Sequence, residues 1–370
     1  MSPTPVDSRH MARALKLAAR GLFGTDPNPR VGCVIAAGQR VLGEGHHERA
    51  GGPHAEIVAL AAAREPVRGA TAYVTLEPCS HHGRTPPCAD ALIEAGIGRV
   101  VYAVSDPNPR VNGGGAQRLR AAGVEVEGGL LEQAARALNP GFLSRMERGR
   151  PWLRLKLAAS LDGRTALAGG DSRWITGPAA RADVQRLRAR ASVVLTGAGT
   201  VRRDDPRLDL RLAGAPRQPL RVILDSGLAT PPTARVLAPP GQALLFGAGT
   251  PDAQRVAALE AAGARVETLP EGSGGVDLAA AMSRLAALEA NEVHVECGPT
   301  LAGSLWQAGL VDEIVLYVAP LLLGSGARDL VALGPLQDMR DRGELDIADV
   351  RRVGPDLRLT LRPRAEPRSA

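Results

Sequence analysis

The chain has 370 residues, 44% of them hydrophobic and 23% charged, which is ordinary for a soluble globular protein and long enough for two domains, each with its own core. Forty-five Lys and Arg against 39 Asp and Glu give a net charge of +6, yet no dense basic run occurs and aromatic residues amount to only 2%, which argues against a surface that stacks nucleic-acid bases. Four cysteines make no disulfide framework, no apolar run reaches the length of a membrane span, and the polar residues 1–10 are not a signal peptide, so a cytoplasmic protein is expected.

Met11, Ala14, Leu15, Ala18 and Leu22 recur at helical spacing and predict a helix over 8–23. After the Pro-broken loop 24–30, residues 31–35 and 40–43 read as a hairpin about Ala37-Gly38. Pro53 leads into His54-Ala55-Glu56 and an alanine-rich helix over 55–63, which sets His54 and Glu56 at its amino end. A strand over 71–76 delivers Glu77-Pro78-Cys79, and a further helix over 89–95 begins as Cys88 enters it.

These residues carry a chemistry. One histidine and two cysteines are the set that zinc uses when it keeps a fourth position open for water. The pattern H-x-E, followed by P-C and a second Cys, is the zinc-deaminase signature. His54 would enter as a neutral imidazole, Cys79 and Cys88 as thiolates. Zinc lowers the pKa of its water toward neutrality, and Glu56 would carry a proton from that water to the departing amine. Loss of ammonia from an amino-substituted heteroaromatic carbon is the matching reaction class. Eight residues separate Cys79 from Cys88, where many zinc deaminases have C-x-x-C. A structural zinc knot would ask for four protein ligands and closer pairs, and Cys33, inside an apolar run, reads as a core thiol. Both ligand elements open helices, whose positive ends favour thiolates.

Next come a short strand over 99–104 and Asp106-Pro107-Asn108-Pro109-Arg110, which repeats residues 26–30 word for word. The flanks diverge beyond one valine, so these are two similar turns and not a duplicated domain. Helices over 117–122 and 131–138 flank a strand over 124–126, and the alternation implies a mostly parallel sheet covered by helices. Asn139-Pro140-Gly141 breaks the last helix, and Gly149-Arg150-Pro151 marks a boundary between domains 1–149 and 150–370.

Residues 152–159 alternate as a strand, and an arginine-rich helix over 181–190 reads mostly as a solvated face. A strand over 192–196 leads into Gly197-Ala198-Gly199-Thr200, a glycine turn that lets backbone approach phosphates. Strands over 221–224, 243–246 and 312–319 and helices over 252–262 and 278–290 follow. The strand Val293-His294-Val295-Glu296 turns through Cys297-Gly298 into a helix over 301–308, whose first N–H groups could hold a pyrophosphate. No G-x-G-x-x-G occurs there, so a Rossmann fold is not supported. Cys297 reads as a small filler and His294 as structural. A hairpin over 345–361 closes the chain about Gly354-Pro355, and the polar tail 363–370 is expected to be disordered.

The stretch TLEPCSHHGRTPPC, with PHAE and PNPRVG before it, resembles the deaminase half of the RibD family of bacterial riboflavin-biosynthesis proteins. That family fuses a pyrimidine deaminase to a pyrimidine reductase. LKLAASLDGRTA and DSRWIT resemble its reductase half, so the likeness runs through nearly the whole chain. It implies an α/β protein, a cytidine-deaminase-like α/β/α domain followed by a dihydrofolate-reductase-like α/β domain. It further implies zinc-dependent deamination of 2,5-diamino-6-ribosylamino-4(3H)-pyrimidinone 5′-phosphate, then NADPH-dependent reduction of the ribosyl chain to ribityl.

By the same resemblance Asn28 and His47 hold the pyrimidine, and Asp106 and Asn108 lie on a loop that approaches it. Ala158, Trp174, Thr200, Asp204, Ser226 and the run Gly298, Pro299, Thr300, Leu301, Ala302, Gly303 and Ser304 would touch NADPH. Ser172, Arg188, Leu208, Arg211 and Glu296 would touch the substrate, Arg211 as a two-pronged phosphate clamp. Lys156 joins this pocket if its strand faces inward, and His81 and Arg84 are candidates for the deaminase phosphate. The expected partners are a phosphorylated pyrimidine and further copies of the chain, with no nucleic acid or membrane. Two rivals stand beside this reading. An RNA-editing deaminase rests on H-x-E and the basic charge, and predicts salt-sensitive RNA binding. A zinc-stabilised NADPH sensor would have no use for Glu56.

Overall fold

Thr4 opens the first helix, α1 (Pro5–Ala18), through a reciprocal cap: its hydroxyl accepts from the Asp7 N–H at 3.2 Å, and the Asp7 carboxylate accepts from the Thr4 N–H at 2.8 Å. The cap and Pro5 start the helix three residues before the sequence expectation, and a 3-10 turn at Ala19–Gly21 closes it. The computed structural model describes residues 4–80, 87–108 and 113–364, and the chain divides into two units, Met1–Arg150 and Pro151–Ala370. His81, Arg84, Pro109 and Arg110 lie outside the described residues. Among the described residues no helix is long and apolar enough to cross a membrane.

The first unit holds strands β1 (Gly32–Ala37), β2 (Arg40–His46), β3 (Thr71–Val74), β4 (Arg99–Tyr102) and β5 (Glu125–Gly128), in the order β2-β1-β3-β4-β5. Helices α2 (Ala55–Ala61), α3 (Cys88–Glu94), α4 (Gly114–Ala121), α5 (Glu132–Leu138) and α6 (Pro140–Arg148) complete it. The expectation of a mostly parallel sheet needs correction. The tight turn at Gly38, with φ +57°, sends β2 back along β1, and β1 is antiparallel to β3 as well; only β3, β4 and β5 are parallel. Alternate side chains serve two cores. Val34, Tyr73 and Val101 pack with α1, α5 and α6, while Cys33, Ile35, Val74 and Val100 pack with α2, α3 and α4. Pro140 ends one helix and occupies the first turn of the next, so the break at Asn139 is a junction between two helices and not the end of helical structure.

In the second unit one sheet of nine strands runs β11-β10-β9-β8-β14-β6-β15-β18-β17. Its members are β6 (Trp152–Ser160), β8 (Val193–Gly197), β9 (Leu220–Leu224), β10 (Ala243–Ala248), β11 (Arg265–Leu269), β14 (Glu292–Glu296), β15 (Glu313–Ala319), β17 (Leu345–Val353) and β18 (Asp356–Pro363). Two short ribbons pair β7 (Arg164–Ala166) with β16 (Arg328–Asp329) and β12 (Glu271–Gly272) with β13 (Gly275–Val276). All contacts from β11 to β15 are parallel, and the β17–β18 hairpin is antiparallel at one edge.

Helices α10 (Leu278–Ala287) and α11 (Pro299–Gln307) join Leu153, Leu155, Leu157, Val293 and Val295 in the main core. On the residues of opposite parity, α9 (Ala253–Ala261) packs with Val194, Ile223 and Leu245, and α7 (Pro178–Arg190) packs with Val315 and Tyr317. The remaining helix, α8 (Ala198–Asp204), continues directly from β8. The glycine turn expected at 197–200 is therefore a helix start, with Gly197 at its N-cap in extended conformation.

Candidate active sites

His54 sits at the N-cap of α2 with extended backbone, but its side chain makes no cap and is free for other work. Cys79 follows β3, and Cys88 is the first residue of α3. His54 Nδ1 lies 3.2 Å from Cys88 Sγ and 3.6 Å from Cys79 Sγ, and the Cys88 backbone N–H donates to Cys79 Sγ at 3.3 Å. All three donor atoms fall within 4.8 Å of one another. Zinc–sulfur and zinc–nitrogen bonds of about 2.3 and 2.0 Å in a tetrahedron place such atoms about 3.5 Å apart, so the donor set fits the ion. A hydrogen bond from Cys88 drives Cys79 down to about 4, and the same bond pushes Cys88 up. Glu56, in the first turn of α2, is buried, and burial raises its carboxyl to about 7, with the Cys79 charge adding to the rise.

The neighbours are locked. His47 Nδ1 lies 2.9 Å from the Pro53 carbonyl, which can only accept, and His47 Nε2 lies 3.1 Å from the Asn28 side-chain nitrogen. The imidazole is thus neutral with its proton on Nδ1, and burial lowers its pKa accordingly. Its ring stands edge-on to His54 at 5.5 Å between centroids. Asn139 grips the loop that carries Asn28, accepting from the Arg30 N–H at 2.8 Å and donating to the Arg30 carbonyl at 2.9 Å. Asp106 is buried, which raises its carboxyl to about 6, and it accepts from the Asn108 N–H at 2.9 Å.

Glu77 is a residue that reading the sequence missed. Its buried carboxylate accepts backbone N–H groups from Asp106 at 3.2 Å, Gly113 at 3.3 Å and Ala116 at 3.0 Å. It anchors the loop before α4 and caps that helix from outside. The available signal was the bare start Gly113-Gly114-Gly115, which offers no capping side chain. Replacing Glu77 with Ala strands these donors and is expected to destabilise the first unit by about 3 kcal/mol. Amide exchange of residues 113–121 measures it, and unchanged protection there would remove Glu77 from this role.

In the second unit a cavity of about 2000 Å³ opens where β6, β8, β9 and β14 end, the usual place for ligands in parallel sheets. Ala158, Trp174, Thr200, Asp204, Ser226, Gly298, Pro299, Thr300, Leu301 and Ser304 line it, as do Ser172, Arg188, Leu208, Arg211 and Glu296. Ala302 and Gly303 do not. Ala302 is wholly buried in the core, and a Cβ on Gly303 would meet the Ala332 carbonyl oxygen at 2.1 Å, so both are packing residues.

Arg188 is held in a fork. Its Nε and Nη2 donate to the two Glu296 oxygens at 2.6 and 3.0 Å, and Nη1 donates to the Asp209 carbonyl at 2.8 Å. Lys156 pairs in register with Glu296 across the β6–β14 ladder and lines the cavity; burial lowers its pKa while Glu296 opposes the shift. His294 is wholly buried with Nε2 3.3 Å from a Glu296 oxygen, a structural placement. Arg211 stays half exposed, with Nη1 2.8 Å from Asp209. Two arginines of α7 depart from the solvated-face reading. Arg181 stacks 4.4 Å over the Trp174 ring at the cavity, and Arg190 reaches buried Glu292 at 2.6 Å. No side chain caps α11, whose amino end borders the cavity. An uncapped helix start beside so many arginines fits a ligand that carries phosphates.

Taken together, the two units define a deaminase domain joined to a pyrimidine-reductase domain. The family model described as the cytidine and deoxycytidylate deaminase zinc-binding region matches residues 4–104, and the RibD C-terminal domain model matches 151–359. The chain is 49% identical to the riboflavin biosynthesis protein RibD of Escherichia coli K12 over 96% of its length and 99% of the relative's, and 45% identical to that of Haemophilus influenzae over 97% and 98%. A solved structure of Acinetobacter baumannii RibD overlays with a TM-score of 0.90 at 44% identity, covering 97% of this chain and 99% of that one. The structure of a Thermotoga maritima diaminohydroxyphosphoribosylaminopyrimidine deaminase/5-amino-6-(5-phosphoribosylamino)uracil reductase overlays at 0.84 with 34% identity and the same coverage. The chain belongs to the RibD family of bifunctional riboflavin-biosynthesis deaminase/reductases, with a cytidine-deaminase-like first domain and a dihydrofolate-reductase-like second.

Proposed function

We propose that the first unit deaminates 2,5-diamino-6-ribosylamino-4(3H)-pyrimidinone 5′-phosphate and that the second reduces the ribosyl chain of the product with NADPH. The observation that carries the first half is a buried carboxyl, Glu56, beside three donors at zinc spacing. His54, Cys79 and Cys88 would hold the zinc, which when bound supplies a Lewis acid and an acidified water. Glu56 would take a proton at its carboxylate and return it to the leaving amine, and its raised pKa suits a group that must do both near neutrality. The commitment of His47 Nε2 to Asn28 leaves the Asn28 amide with its oxygen and one N–H to read a pyrimidine edge.

In the second unit NADPH would supply the hydride. Arg188, aimed by Glu296, would orient the substrate, and exposed Arg211 would take its phosphate. Trp174, stiffened by Arg181, would cover the cofactor. A homo-oligomer in the cytoplasm completes the proposal. The exposed Ile347, Val350 and Leu357 on the edge hairpin support self-association, which light scattering tests.

The deciding experiment gives zinc-loaded protein the diamino substrate and NADPH and follows ammonia and NADPH together. Equal loss of amine and reduced cofactor is expected. Ammonia without NADPH oxidation would sink the reductase half, and RNA binding at low salt with neither signal would favour the editing rival. Stripping zinc with a chelator should stop ammonia release, while NADPH oxidation continues on substrate already deaminated. Restored ammonia release on adding zinc checks reversibility.

A further inference from the structure

The cavity has a second end, remote from Arg188, whose chemistry the roles above leave open. If the cofactor reading holds, the nicotinamide must meet the substrate beside Arg188 and Glu296, at the end of β14. A pyrophosphate at the start of α11 then fixes the middle of the dinucleotide beside the same strand. β14 lies between β8 and β6, and on the β8 side the cavity lining reaches Leu224, Ser226 and Gly227 at the end of β9, about 10 Å away at two strand spacings, where the adenosine half would lie.

At the end of β9, beside the buried acid Asp225, two side chains offer donors: Ser226 on the cavity wall and Arg255 next to Gly227. Ser226 is pinned, its carbonyl accepting from the Ala248 N–H at 3.1 Å and its hydroxyl oxygen accepting from the Val276 N–H at 3.0 Å, which leaves the hydroxyl proton to give away. Gly227 follows it on the cavity wall. Arg255, in the first turn of α9, donates one Nη1 hydrogen to the Gly227 carbonyl at 2.6 Å, so the guanidinium is tethered beside Ser226. No ion pair to Arg255 occurs among the described residues. Three acids of this region each accept a backbone N–H: Asp252, three residues before Arg255, from Gln254, and Asp225 and Asp277, which line the cavity, from Thr230 and Ala280.

We infer that Arg255, with the Ser226 hydroxyl, reads the 2′-phosphate of the cofactor and sets the preference for NADPH over NADH. A tethered, exposed cation with several N–H groups still to give matches a phosphate monoester on a ribose, and NADH has nothing there for it to hold. In this proposal Ser226 takes the cofactor contact that the family resemblance implies; Arg255 is new. The inference rests on the proposed NADPH reading, so its test separates the two.

The full chain and its R255M variant are assayed with the deaminated substrate and either NADPH or NADH, and binding of 2′,5′-ADP and 5′-ADP is measured by calorimetry. R255M should lose about 10- to 100-fold in kcat/KM for NADPH, the worth of charge-assisted hydrogen bonds, and in affinity for 2′,5′-ADP. The loss should be confined to the ligands that carry the 2′-phosphate. A variant that keeps the wild-type discrimination, or that weakens both cofactors in parallel, overturns the role of Arg255 while the NADPH reading stands. A wild-type chain that oxidises neither cofactor and binds neither diphosphate overturns both. Tryptophan fluorescence in a urea titration, which follows the second unit, reports that the variant is folded.

Discussion

Replacing Glu56 with Gln is expected to cut ammonia release about 100- to 10,000-fold, the range that a positioned proton carrier contributes. The substitution keeps the shape of a side chain that is 3% exposed, so the packing of α2 against the sheet survives. It keeps hydrogen-bonding capacity but removes the ability to accept a proton and give it back. His54, Cys79 and Cys88 are untouched, so bound zinc should stay at the wild-type level, read by elemental analysis. NADPH oxidation on deaminated substrate should also persist. Because the change removes a carboxyl that burial already disfavours in its charged form, thermal stability should hold or rise. Deamination at the wild-type rate would refute the role given to Glu56.

Much of this site was legible because its chemistry is local. His54 and Glu56 share one helix start, and Cys79 and Cys88 close one loop, so four residues of fixed type in two short stretches carried the reading. The hairpins about Gly38 and Gly354 were legible for a similar reason, since each turn asks for a positive φ that glycine supplies. What escaped depended on long-range pairing. The antiparallel seat of β1 beside β3 follows from which strands meet, and periodicity within one strand says nothing of that. Glu77 stands beside Pro78 and Cys79 and drew no role of its own, because its partners lie 29 to 39 residues away on backbone that has no side-chain signature. Arg181 and Arg190 read as a solvated face because nothing in α7 itself marks the Trp174 ring or Glu292 that they meet. In the run from Gly298 to Ser304 the family pattern could not separate residues that line the cavity from Ala302 and Gly303, which pack behind it.

Arg154→Met should be the most damaging single change to the second unit. The strand Trp152–Ser160 alternates, with Leu153, Leu155 and Leu157 in the main core and Arg154 on the other face beside β14 and β15. There Arg154 is 1% exposed, with Nη1 2.9 Å from Glu292 and Nε 2.5 Å from Glu313. Methionine fills much of the space but takes away the cation that both buried carboxylates share, which weakens the hold on Glu292, beside Arg190, and on Glu313, whose contact with Arg362 is longer at 3.9 Å. Breaking a buried ion pair from one side costs about 3–5 kcal/mol, and in a unit of this size that lowers the melting temperature by about 10 °C. All three tryptophans, Trp152, Trp174 and Trp306, belong to this unit, so their fluorescence in a urea titration follows its unfolding. Glu292 and Glu296 share one face of β14, two residues apart from His294 on either side, so slackness at Arg154 should also reach the Arg188 fork and raise KM for the reductase substrate more than it lowers kcat. Adding Glu313→Leu removes one of the stranded charges and should recover part of the loss. A stability change under 1 kcal/mol for R154M, with KM unmoved, would mean that this buried network supports neither the sheet nor the cavity above it.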